Sequence, residues 1–286
     1  MWTEERRSPR ARGRFNLLLR HLVLIVVATL FVLPLVWMVT TSLREPGQPL
    51  PRSIDWVPDP IAWGNYPEVF DLIDFARFAV NSLLVAASAV PITVIVASWA
   101  GFALSQVSRR WRLRLTVLSF AVLMVPLSAV WLPRFILIKE LGLIDHRTAL
   151  VLPALTGTSP FYVMLFLWTF VRVPGEVYEA ARLDGAGAFR IWAGVALPLA
   201  RPAIVAVGVL TFVYYWSSFN EPLLYIQSSS NMTLPLGLHA LLQLDRTNWP
   251  LLMAGAVMVT APVVALFLVA QRAFLQEHRG GGWFGR

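Results

Sequence analysis

Long runs without a charged side chain alternate with short, arginine-rich polar segments along the whole chain. Six runs, His21–Leu43, Phe78–Ser108, Leu115–Pro133, Thr148–Val171, Pro202–Asn220 and Thr247–Gln271, are each at least 19 residues long and rich in Leu, Val, Ala and Phe. A helix needs roughly 20 apolar residues to cross about 30 Å of hydrocarbon, and charges are costly there. The pattern predicts an all-α integral membrane protein with six transmembrane helices, at about 21–43, 78–104, 115–136, 149–171, 202–224 and 250–272. A seventh charge-free run, Pro222–Leu244, carries Gln227-Ser228-Ser229-Ser230-Asn231 between Pro222 and Pro235. It reads as a loop with a short interfacial helix. Pro34, Pro91, Pro126 and Pro262 fall inside spans, where kinks suit a protein that changes shape, although prolines are common in membrane helices generally.

Composition supports lipid as the solvent. The chain is 57% hydrophobic and 14% charged, with a mean hydropathy of +0.64, against about 25% charged residues in soluble proteins. With no cysteine, disulfides and thiol chemistry are excluded, and the four histidines have no metal-ligand spacing. The single lysine, Lys139, has no glycines before it and no Ser or Thr after it, so the chain carries no phosphate-cradling loop. No nucleophile, metal cluster or carboxylate pair suggests an enzyme. No acidic residue falls in the middle of a span, which argues against a proton-driven carrier.

The net charge of +8 reads as a basic cytoplasmic face rather than a nucleic-acid surface. With both termini inside, 17 of the basic residues, among them Arg109, Arg110, Arg112 and Arg114, lie on cytoplasmic segments and 7 outside. The organisation expected is a cytoplasmic segment 1–20, one membrane domain 21–276 with an external loop 44–77, and a cytoplasmic tail 277–286. The first apolar run lacks a small-residue cleavage site and is long enough to remain as a signal anchor.

The loop 172–201 is too polar for lipid and longer than a helix connection requires. Pro174 suits a helix start, Glu176 and Glu179 suit an N-terminal turn, and Val177, Ala180, Ala181 and Leu183 form a narrow apolar stripe. Asp184-Gly185 reads as a turn, followed by a second short helix at about 186–194. The segment is a helix, a turn and a helix along the cytoplasmic surface, placed to dock a partner.

Glu179-Ala180-Ala181, Asp184-Gly185 and Val195-Ala196-Leu197-Pro198 resemble the E-A-A, G and I-x-L-P signature of the permease subunits of binding-protein-dependent ABC importers. Val195 stands where isoleucine is usual, a conservative change. Thr41-Ser42-Leu43-Arg44, Asn65-Tyr66, Asn81-Ser82, Leu141-Gly142-Leu143, Phe219-Asn220-Glu221, Leu234-Pro235-Leu236-Gly237 and Ala254-Gly255-Ala256 extend the likeness to the second permease of maltose-type carbohydrate importers. The resemblance implies a type I importer permease fold. It also implies a coupling function, onto the ATPase subunit, for Glu179, Ala180, Ala181, Asp184, Gly185, Val195, Leu197 and Pro198. The expected partners are a second homologous permease, an ATPase dimer that uses ATP and Mg, an extracytoplasmic solute-binding protein and membrane lipid. No cofactor is expected on this chain, and the setting is the cytoplasmic membrane of a prokaryote. The solute itself is selected largely by the binding protein. The tail Glu277–Arg286 lacks the family's usual close, so no ATPase contact is carried over to it.

Asn81, Ser82, Tyr215, Trp216, Asn220 and Glu221 are candidates for the translocation pathway, since a hydroxyl-rich solute trades its water shell for amides, carboxylates and aromatic faces. The competing reading makes the aromatics an interfacial belt beside a solvated Glu221, and Asn81 and Ser82 bonds between helices.

Overall fold

The computed structural model describes residues 9–47 and 56–279; the start of the N-terminal segment, part of the external loop and the tail beyond Arg279 lie outside the described residues. Among the described residues there are helices and no strands. In chain order they are α1 (Pro9–Ser42), α2 (Asn65–Leu72), α3 (Phe75–Gln106), α4 (Arg109–Leu123), α5 (Leu127–Glu140), α6 (Thr148–Val151) and α7 (Pro160–Val171). They continue with α8 (Gly175–Leu183), α9 (Ala188–Ile191), α10 (Leu197–Leu199), α11 (Arg201–Ser217), α12 (Asn220–Tyr225), α13 (Leu234–Leu244) and α14 (Trp249–Arg279).

Four helical stretches are long and apolar enough to cross a bilayer singly: Asn16–Ser42, Phe75–Gln106, Thr148–Val171 and Trp249–Arg272. Two bent pairs bring the number to as many as six. In one, α4 and α5 meet at 92° where a single span is expected at 115–136. The cause lies at Pro126, which sits in extended conformation before α5 and has no N–H to continue the ladder. Pro34, Pro91 and Pro262, by contrast, lie within continuous helices. In the other pair, residues Ala188–Leu199 meet α11 at 84°. Where the charge-free run Pro222–Leu244 reads as a loop and short helix, the structure has α12, a turn and the 11-residue α13.

The helices sort into two compact units, one of residues up to Val69 with Leu242–Met258, the other of Phe70–Leu241 with Val259 onward. In the first unit, the side-chain amide of fully buried Asn65 donates to the carbonyls of Ser42 (2.8 Å) and Arg44 (2.7 Å), and the hydroxyls of Ser42 and Tyr66 bond at 2.8 Å. The end of a helix leaves carbonyls unpaired; here Asn65 satisfies them and ties α2 to the close of α1. In the second unit α3 is the central helix, packing on α7 and α11. It approaches α7 closely at Gly101, where a Cβ would sit 2.7 Å from Phe166 Cβ and 2.9 Å from the backbone of Leu167. A small residue at such a crossing lets two backbones come together without water to drive them.

Candidate functional site

The segment after α7 folds as helix, turn and helix. α8 ends at Leu183 with Asp184 as its cap, and Gly185 follows with φ +76°. The Ala186 N–H donates to the Ala181 carbonyl and the Gly185 N–H to that of Arg182, both at 3.0 Å. This pair of bonds, with a left-handed residue between, closes a helix C-terminus and favours glycine. A Cβ on Gly185 would touch nothing within 4 Å, so the requirement is conformational rather than steric.

The side chain that anchors α8 is Tyr178. It is 5% exposed, its hydroxyl donates to the Phe170 carbonyl at 3.2 Å, and its ring meets Phe102 edge-on at 5.9 Å. Burial pushes its phenol up to about 12. Ile191 and Trp192 anchor the second arm, with Trp192 edge-on to Trp99 at 4.9 Å. Arg182 reaches back to the Gln106 side chain at the end of α3. The expected apolar stripe divides. Val177 and Ala181 are half-buried beside Tyr178, whereas Ala180 and Leu183 are exposed. Residues three and four apart share a helix face, so Glu176, Glu179, Ala180 and Leu183 form an open face opposite Tyr178. Leu183, 89% exposed, is the most exposed large apolar side chain among the described residues, and Phe189 across the turn is 68% exposed. Asp184, Gly185 and Pro198 are exposed as well, while Val195 and Leu197 pack inward. Tyr178 and the Trp99–Trp192 contact escape the sequence reading. Their signal is an aromatic in each short polar helix, Tyr178 in the first and Trp192 in the second.

The six pathway candidates separate. Tyr215 and Trp216 are buried; the Tyr215 hydroxyl bonds Thr158 at 3.1 Å and the Trp216 indole donates to the Val259 carbonyl at 2.9 Å. Asn220 is exposed. Glu221, with a side chain 16% exposed, accepts from the Tyr214 hydroxyl (3.1 Å) and the Ser218 hydroxyl (2.6 Å), and Arg134 lies 3.9 Å away. That geometry is neither an interfacial belt nor a freely solvated carboxylate. A cavity of about 10 Å³ beside it, bounded also by Val85 and Thr233, has room for one water and none for a sugar ring.

Asn81 and Ser82 fasten the loop that leads to α13. The Asn81 amide donates to the carbonyls of Ser230 (2.9 Å) and Met232 (2.8 Å) and accepts from Arg147, and the Ser82 hydroxyl accepts from the Leu234 N–H at 2.8 Å. The same loop is gripped from its other side by Asp145. Its carboxylate accepts from the Gln227 N–H and from the N–H and hydroxyl of Ser228, at 2.9 to 3.0 Å. These donors, the Ser228 amide first, hold the Asp145 carboxyl down to about 2 from its ordinary 3.8. A depressed carboxyl stabilises the fold fully above its unfolded value and loses that contribution as pH falls through the folded one. Hydrogen-exchange protection of the Gln227 and Ser228 amides should therefore persist from neutral pH to about 4 and vanish toward pH 2. Asp145→Asn, which tolerates the left-handed φ of +62°, should weaken that protection at neutral pH and flatten its acid dependence. Equal protection in both proteins at neutral pH would rule out the carboxylate as the clamp.

Residues 89–279 match the family described as the inner membrane component of binding-protein-dependent transport systems. The arabinooligosaccharides transport system permease protein AraQ of Halalkalibacterium halodurans is 30% identical, over 90% of this chain and 92% of its own length. The sn-glycerol-3-phosphate transport system permease protein UgpE of Rhizobium meliloti is 29% identical, over 91% and 94%. Among solved structures, a bacterial ABC transporter involved in import of the acidic polysaccharide alginate superposes with a TM-score of 0.73 at 21% identity, covering 96% of this chain and all of that one.

Proposed function

The chain belongs to the inner membrane components of binding-protein-dependent transport systems, and from that premise we propose that it carries a carbohydrate across a prokaryotic cytoplasmic membrane, both termini facing the cytoplasm. It is a multi-pass permease subunit of an ABC importer. In this reading it forms half of a pathway with a homologous permease. ATP and Mg are used by two separate ATPase subunits, and solute arrives on an extracytoplasmic binding protein.

The observation that carries the proposal is the open face of the 172–201 segment. Its short helices are pinned by Tyr178 and Trp192, yet they leave Leu183 and Phe189 exposed beside Glu179 and Asp184. Two large apolar side chains left exposed across a turn that the rest of the segment holds in place support a partner docking there. The arabinooligosaccharide relative supports a neutral sugar as solute. The glycerol-phosphate relative is the ground for a second reading, a phosphorylated polyol.

The experiment is reconstitution of the complete complex in vesicles. ATP hydrolysis should rise with binding protein loaded with a neutral oligosaccharide and stay basal with glycerol phosphate. The reverse response would transfer the solute to the second reading. Solute uptake by this chain alone, driven by a proton gradient, would replace the importer by a secondary carrier.

A further inference from the structure

The second arm of the loop is not a plain α-helix. Over Trp192–Ala196 it widens to the five-residue register, and the Leu197 N–H donates to the Trp192 carbonyl. Such π-turns are rare and mark sites where one extra residue has been accommodated. The residue that enforces this one is Pro198. A proline inside a helix has no N–H, and its ring collides with the carbonyl four positions earlier, here that of Gly194. Widening the turn moves that carbonyl aside, and Ala193 and Gly194 bulge to the exposed surface.

The widened turn changes which side chains face the core. Ile191, Trp192, Ala196 and Ala200 are 2%, 6%, 0% and 0% exposed and belong to one cluster with Phe102 and Phe170. In an unbroken α-helix each residue advances about 100°, so Ile191 and Ala200, nine positions apart, would stand on opposite sides. With one residue absorbed by the π-turn they behave as positions eight apart, and Ile191 stands over Ala196 as if four apart. Both ends of the arm can then be buried together. Immediately beyond Ala200, the arm meets α11 at 84°.

We infer that Pro198 is a positioning residue. By enforcing the π-turn it phases Ile191 and Trp192 with Ala196 and Ala200, and so makes the junction of the loop with α11 a rigid elbow that transmits displacement of the Leu183–Phe189 end to the membrane helix. This rests on the importer reading for what the displacement does, but not for the phasing itself. A joint packed at both ends moves as a unit, whereas a joint that loses one anchor dissipates motion locally.

The test uses the intact complex with two variants. Pro198→Ala lets the helix return to α register and forces one pair of anchors off the core. It should move about tenfold less solute for each ATP hydrolysed, the size of an ordinary loss of coupling between sites. Combining Pro198→Ala with deletion of Gly194 removes the extra residue together with its cause. The anchors then fall back in phase, and solute moved per ATP should return toward the parent value. Hydrogen exchange on the assembled Pro198→Ala complex gives a readout independent of transport, with faster exchange expected across Ile191–Ala200. Exchange like the parent's there, or undiminished solute per ATP, overturns the elbow. So does a deletion variant that assembles at the parent level and transports no better than Pro198→Ala. A parent complex indifferent to loaded binding protein would instead sink the importer reading, leaving the exchange result to judge the phasing alone.

Discussion

Valine at position 185 should abolish solute-stimulated ATP hydrolysis, with a loss of about tenfold or more, while the protein still inserts and reaches the membrane at a near-normal level. Gly185 holds φ +76° at the close of α8, and its amide and that of Ala186 complete the helix end. A residue with a Cβ pays roughly 1–2 kcal/mol to adopt that conformation, and a β-branched one is worst placed to do so. Nothing lies within 4 Å of the added Cβ, so the defect stays in the turn and does not spread into the helix bundle. The strain would instead swing Leu183 and Phe189 away from their present relation across the turn. A graded series makes the cause visible: Gly185→Asn should be mildest, Gly185→Ala intermediate and Gly185→Val most severe, following tolerance of the left-handed region. Glu179→Lys should injure the same step by another route, since Glu179 shares the open face with Leu183 and the substitution reverses a charge there. If Gly185→Val and Glu179→Lys both retained the ATPase and responded to solute like the parent, this loop would not be the docking element.

The turn was legible in the sequence because its chemistry is local: a glycine after Asp184 and a six-residue spacing from Glu179 suffice. The existence of apolar spans was legible for the same reason, since lipid imposes a length and a polarity that a single run of residues must meet. Contacts between segments distant along the chain were not. Tyr178 looks like any residue of an amphipathic helix until Phe102 and Phe170 meet it, and the bend between α4 and α5 depends on whether the chain around Pro126 continues straight or turns. The π-turn shows the limit most clearly. Pro198 is visible as part of a motif, but its consequence needs the positions of Ile191 and Ala200 on one core surface. The short motifs Thr41–Arg44 with Asn65-Tyr66, and Asn81-Ser82 with Leu234, likewise read as isolated markers, whereas each pair forms one hydrogen-bonded clamp.

Asn81 and Glu221, equivalent candidates by residue type, should part company when replaced. Asn81 is 2% exposed and makes three bonds, to Ser230, Met232 and Arg147. Asn81→Ala would take those bonds from two carbonyls and a guanidinium, of which Ser230 is exposed and Met232 and Arg147 are half-buried. Each lost hydrogen bond costs about 0.5–1.5 kcal/mol net, together enough to lower the amount of folded protein and its unfolding temperature in detergent. Asn81→Asp would keep the size but replace the amide donor by a carboxylate facing two carbonyls, and should be no better. Glu221 bonds only Tyr214 and Ser218, both short-range partners, with Arg134 at 3.9 Å. An ion pair at that distance with Arg134 36% exposed contributes little to stability, and the half-buried Tyr214 and Ser218 hydroxyls each lose one acceptor, so Glu221→Ala should accumulate like the parent and melt slightly below it. Its effect should fall on function: the carboxylate 3.9 Å from the Arg134 guanidinium is removed, which changes the charge balance around that cation. Transport of a neutral solute, or its coupling to ATP turnover, should then drop while assembly survives. Parent-like uptake by Glu221→Ala would assign Glu221 to local packing, and parent-like stability of Asn81→Ala would show that the grip on the 226–234 loop lies with Ser82 and Asp145 instead.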